Sequence, residues 1–216
     1  MKAGLNSLKN ALKIAKENGI NEIFLENGVH DEFGEYVAID FPVTIIGESK
    51  EGCTIIGGLD MKGKKQNDVN VKNLKISQSK GEAVRGDKGM SFHLFNLDID
   101  LSKGNGVWVR GSKRNTMKNC RVCRSRLSGL YVYDGLMTLE GSDSFFHNNV
   151  TFADTVGTAR GGVHYYGLHT SSSSTLRLVL PLTIGNISRK NGGGGNFGGK
   201  GRIVSYNKDT CEGRQH

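Results

Sequence analysis

The chain has 216 residues, 36% of them apolar and 23% charged, with 31 glycines but only two prolines. That length carries one large domain or two small ones, and the glycine count fits neither collagen's strict triplet period nor a proline-rich disordered tract. The net charge of +8 favours acidic partners, and no apolar run approaches the roughly 18 residues of a membrane span.

The opening Met1-Lys2-Ala3-Gly4-Leu5 leads into a lysine-rich amphipathic stretch, so no signal peptide is expected. With no span either, the compartment stays open between the cytoplasm and a virion. Leu5, Leu8, Leu12 and Ala15 share one helical face, Lys9, Lys13 and Lys16 lie away from it, and Gly19 is a stop signal. The spacing predicts a helix over 5–18. Short alternating runs follow at 22–25, 36–39, 43–46 and 54–56.

An internal period then appears. Val71-Lys72-Asn73-Leu74-Lys75-Ile76 aligns with Leu94-Phe95-Asn96-Leu97-Asp98-Ile99 and with Met117-Lys118-Asn119-Cys120-Arg121-Val122. Ser79-Lys80, Ser102-Lys103 and Ser125-Arg126 keep the same 23-residue step, as do Ala83-Val84, Gly106-Val107 and Gly129-Leu130. Nothing within a unit is long enough for a helix, so each unit must coil and stack on the next around a narrow shared core. The fold class read from this is all-β, a parallel β-helix of about 23-residue turns, with the N-terminal helix covering the first turn's open edge.

Beyond residue 149 the strict period is lost. Gly162-Val163-His164-Tyr165-Tyr166-Gly167 mirrors Gly106-Val107-Trp108-Val109-Arg110-Gly111 with about ten residues inserted, judged from spacing alone. A polar turn at 171–174, a strand pair over 176–184 broken at Pro181, a glycine-dense loop at 192–201 and a strand at 202–206 complete the reading. The expected organisation is one domain over 1–206, with a helix at 5–18, regular turns at 22–149 and irregular turns at 150–206, then a frayed tail at 207–216.

The stretch Ile23-Phe24-Leu25-Glu26-Asn27-Gly28-Val29-His30-Asp31-Glu32, followed by Pro42-Val43-Thr44-Ile45-Ile46-Gly47-Glu48, is similar to openings of right-handed parallel β-helix proteins. With the V-x-N-L-x-I units it resembles the pectin-lyase-like superfamily, including its carbohydrate-binding and sugar-hydrolase repeats and the β-helix regions of F-box proteins. The glycine-rich ending resembles tails on β-helix proteins from algae and their large viruses. The resemblance implies a right-handed coil, an asparagine ladder of Asn73, Asn96 and Asn119 at a tight turn, and one sheet that lines a polysaccharide groove.

Alternation turns Val84, Val107 and Leu130 inward and leaves two outward rows: Arg85, Trp108, Tyr131, His164, and Asp87, Arg110, Tyr133, Tyr166. Aromatic rings stack on sugar C–H faces, and guanidinium forks take carboxylate or sulfate. Arg85, Trp108, Arg110, Tyr131, Tyr133, His164 and Tyr166 are therefore the candidate binding residues, and an extended acidic polysaccharide is the expected partner. A lyase or hydrolase in the same groove, or a structural virion or cell-surface component that associates through its sheets, are the alternatives. Nucleic acid is disfavoured, since charge alone supports it.

No catalytic residue is assigned and binding without turnover is expected: the paired Asp98 and Asp100 lie on a different sheet, beside Lys75 and Arg121. No cofactor or metal is expected. Cys120-x-x-Cys123 has no second pair to complete a zinc site. Gly193–Gly198 meets a dinucleotide-loop pattern through composition, with no helix after it to receive phosphate.

Overall fold

Strands with an apolar residue at every second position bury one side each, and in a chain of such short pieces the burial must come from stacking turn on turn. The computed structural model, which describes residues 1–64, 68–87, 89–151 and 165–207, is that stack. The strands pair in parallel, each turn lying on the one before. Three faces enclose one core. Face A holds Val43–Gly47, the first halves of Asp68–Ser77 and Ser91–Asp100, then Asn115–Lys118, Leu136–Glu140, Thr175–Val179 and Arg202–Tyr206. Face B holds the second halves of those two long strands, then Arg121–Cys123, Phe145–His147 and Ser188–Arg189. Face C takes the ends of Gly28–Ile39 and Cys53–Met61, then Val84–Asp87, Val107–Arg110, Leu130–Tyr133, Leu168–Thr170 and Phe197–Gly199.

The core is one residue column per strand position. Val71, Leu94, Met117 and Leu139 line face A, Ile76, Ile99, Val122 and Phe146 line face B, and Leu59, Val84, Val107 and Leu130 line face C, all essentially buried. Gly86 leaves a gap in the inner column of face C: a Cβ there would come within 2.6 Å of the Phe92 ring, so the glycine makes room for the largest core side chain.

Corners require a left-handed residue, which asparagine tolerates better than other non-glycine residues. Asn73, Asn96 and Asn119 stand at the corner from face A to face B with φ of 54°, 53° and 53°. Asn96 Nδ2 donates to Asn73 Oδ1 at 3.1 Å. Gly141, at φ 84°, takes the next rung, where a Cβ would lie 1.9 Å from Asn119 Oδ1. A further set of asparagines, unmarked by the repeat, is buried inside the turns. Asn149 Oδ1 accepts from Ser125 N, and its Nδ2 donates to Val122 O, each at 3.1 Å. Asn115 Oδ1 accepts from Phe92 N at 3.1 Å.

At the N-terminal end the helix is Ser7–Glu17, shorter than the expected 5–18. Leu5 falls instead in the two-residue strand Gly4–Leu5 and is exposed, while Leu8, Leu12 and Ala15 are buried over the first turn. The Glu32 carboxylate reaches up from that turn and accepts the backbone N–H of Leu8 at 2.8 Å and of Lys9 at 3.3 Å, placing negative charge where the helix dipole favours it.

The C-terminal turns depart from the spacing-based reading. The expected strand pair over 176–184 is a single strand, Thr175–Val179, followed by the four-residue helix Ile184–Ile187, which a reciprocal Thr183–Asn186 capping box starts. The glycine-dense stretch is not all loop. Its Phe197–Gly199 pairs with Leu168–Thr170, and a Cβ on Gly198 would lie 2.2 Å from the Tyr166 ring. The tail beyond Asn207 lies outside the described residues.

Candidate functional site

On face C the side chains that cannot point into the core stand outward in two rows, with successive rungs about 4.8 Å apart. The register of the first row runs Asp60, Arg85, Trp108, Tyr131, His169. The second pairs Asp87 with Arg110 and Arg110 with Tyr133. Arg85, Trp108, Tyr131, Arg110 and Tyr133 are thus side by side on one surface.

One candidate lies outside the described residues and another is placed differently. His164 lies outside the described residues, and the rung after Tyr131 belongs to His169. The chain from Leu130 to its partner Leu168 spans 38 residues instead of 23, an excess of 15 where the sequence pattern suggested about ten. Leu168, fully buried, takes the inward role that the pattern gave to Val163. Tyr166 precedes that strand rather than extending the second row, and its ring meets His169 edge-on, with centroids 5.3 Å apart.

The rows split into an ionic end and an aromatic end. At the ionic end Arg85 clasps Asp60 through Nε at 2.9 Å and Nη2 at 3.2 Å, and Lys62 reaches the same carboxylate at 2.7 Å. The Arg85 guanidinium lies 5.0 Å from the Tyr36 ring centre and 5.7 Å from that of Trp108. Arg110 also lies near Trp108, 5.2 Å from its ring centre, and grips Asp87 with both fork nitrogens, Nε at 2.6 Å. Trp108 therefore has two guanidinium groups within about 6 Å of its ring centre, a proximity its electron-rich face favours. Tyr36 also bonds Glu82, and burial together with that carboxylate pushes its hydroxyl up to about 12.

At the aromatic end Tyr131 and His169 stack with centroids 4.3 Å apart and planes 14° apart, and Tyr133 meets Tyr131 edge-on at 6.3 Å. His169 is buried, and its Nδ1 has no hydrogen-bond partner among the described residues. Burial lowers its pKa to about 4, so the imidazole is neutral at neutral pH. Tyr36, Asp60, Lys62 and His169 were not marked by the sequence. Asp60 faces Arg85 across a 25-residue step, outside the 23-residue period that exposed the other rungs.

The face carries two acidic side chains in its outward rows. Its carboxylates Asp60 and Asp87 are each held by an arginine. Both forks that the sequence offered to acidic sugar are already filled from within the sheet. On face B, Asp98 pairs with Arg121 at 2.7 Å, and Asp100 is buried under Arg124, Lys75 and the Cys123 thiol. Burial pushes the Asp100 carboxyl up, but the bonds and charge of Arg124 outweigh it and hold the group below the usual carboxylate range. Burial raises the thiols of Cys120 to about 12 and of Cys123 to about 11, which leaves both unreactive at neutral pH. Among the described residues no group of three or more His, Cys, Asp and Glu side chains is arranged to hold a metal ion. Nor is any helix among them long and apolar enough to cross a membrane.

A family model described as a right handed beta helix region matches residues 40–180. No curated protein and no solved structure matches the chain.

Proposed function

The chain belongs to the right-handed β-helix family, and from that membership we propose that face C binds an extended polysaccharide strand laid along the solenoid axis. The observation that carries the reading is the run of ring and guanidinium surfaces from Tyr36 through Arg85, Trp108 and Arg110 to Tyr131. Flat apolar faces flanked by fixed hydrogen-bonding groups suit sugar rings, whose C–H faces stack while their hydroxyls bond at the rim. Because Asp60 and Asp87 fill the arginine forks, preference for acidic sugar rests on the overall charge of +8 rather than on these two side chains. Asp60 and Asp87 are each held by an arginine, and the reading is of binding without cleavage.

The test is calorimetric titration with matched neutral and acidic oligosaccharides of increasing length, followed by chain-length analysis of the sugar recovered. Affinity that rises with length, with no shortening and no new unsaturated ends, supports the reading. Shortened chains would assign an enzyme instead, and no heat with any sugar would remove polysaccharide binding altogether.

A further inference from the structure

Between faces B and C the chain passes a second left-handed corner, and the residues chosen there are unusual. Gln78, Arg124, Asn148 and Lys190 occupy it as polar, solvated side chains, but Leu101 does so at φ 56°, and Phe33 turns the first such corner at φ 57°. Left-handed backbone presses Cβ against the following carbonyl oxygen, a strain that asparagine or glycine relieves. Leu101 and Phe33 combine that strain with side chains 42% and 51% exposed, so neither folding term favours them. Both line one depression of about 390 Å³, whose lining also includes Ile56, Lys80 and Lys103. That volume lies in the range of small-ligand sites.

The charges around the depression are unequally matched. Asp31 is turned into its own loop, accepting the Phe33 N–H at 2.8 Å, and Glu35 holds Lys80 at 2.6 Å. Lys103 is fixed one rung on, its backbone N–H donating to Ser79 O at 2.9 Å. Among the described residues no carboxylate lies within ion-pair distance of Lys103.

We propose that this corner groove binds a small amphipathic monoanion, its flat apolar body on Phe33, Ile56 and Leu101 and its charge at Lys103. The apolar body covers the two exposed side chains that folding leaves in water, and a lysine serves a single anionic group as a point charge. The site lies on a different edge from the aromatic rows and stands independently of the polysaccharide reading.

The probes are anilinonaphthalene sulfonate and its uncharged counterpart N-phenylnaphthylamine, followed by fluorescence titration alongside thermal melting. Leu101→Asn is expected to raise the melting temperature by about 2–4 °C through relief of strain, while weakening the sulfonate by about fivefold or more. Lys103→Gln is expected to weaken the sulfonate and leave the neutral probe unchanged. A Leu101→Asn protein that melts no higher than wild type would make Leu101 a structural residue and overturn the proposal. Unchanged sulfonate binding in either variant would overturn it too.

Discussion

Tyr131 and His169, on adjacent rungs of face C, lie ring on ring with centroids 4.3 Å apart and planes only 14° from parallel. The stack holds the imidazole in an environment that disfavours its charge, with the pKa lowered to about 4 by burial. Unfolded, the same histidine titrates near 6.5. Between those values the unfolded chain binds more protons than the folded one, so stability contributed here is full above about pH 6.5 and lost as the pH falls towards 4. His169→Phe preserves the stack without a titrating group. Melting curves across pH 4 to 7 should therefore fall less steeply with acid for that variant than for wild type. Identical slopes would mean that folding does not lower the His169 pKa.

Asp87 occupies the Arg110 fork. Asp87→Asn removes the competing charge while keeping the side chain's shape. Affinity for an acidic oligosaccharide should rise relative to its neutral match, by about fivefold if one charged hydrogen bond of about 1 kcal/mol is released to the ligand. A ratio of acidic to neutral affinity that does not move would show that the fork never faces the sugar.

Asn96→Ala takes away both the bond to Asn73 and the residue type that tolerates φ 53°. The expected loss is about 1–2 kcal/mol in chemical denaturation. Asn96→Gly retains the backbone freedom and should recover part of it. If Gly and Ala cost the same, the side-chain bond accounts for the whole effect.

Removing residues 1–19 uncovers the apolar end of the first turn and its strand edges, now covered by Leu8, Leu12 and Ala15. The truncated protein should associate in light scattering and melt lower. A monomer with unchanged melting would make the helix an appendage.

Much of this architecture is visible in the residues because a stacked turn repeats its needs. Each turn needs a left-handed corner, and Asn73, Asn96 and Asn119 mark it at equal spacing. Each needs an inward apolar residue on face C, and Val84, Val107 and Leu130 supply it in register, which places Arg85, Trp108 and Tyr131 together. Where a turn changes length the signal fails. Asp60 is 25 residues from Arg85 and His169 is 38 from Tyr131, so neither falls on the period. The G-V-H-Y-Y-G stretch copied the look of an outward row, whereas Leu168 sets the register of that turn. Ion pairing is invisible for a different reason: a pattern tells which way Arg110 points but not that Asp87, one rung before it, fills its fork.

The measurement that bears most directly on polysaccharide binding by face C is a titration of three proteins against the same long oligosaccharide: wild type, Trp108→Ala and Asp98→Asn. Trp108 is the ring near both Arg85 and Arg110, so its removal should weaken binding by about fivefold or more. Asp98 forms a surface pair with Arg121 on face B, and its loss should leave both affinity and folding nearly unchanged. Trp108→Ala binding as tightly as wild type while Asp98→Asn fails to bind would contradict the account and move the site to face B.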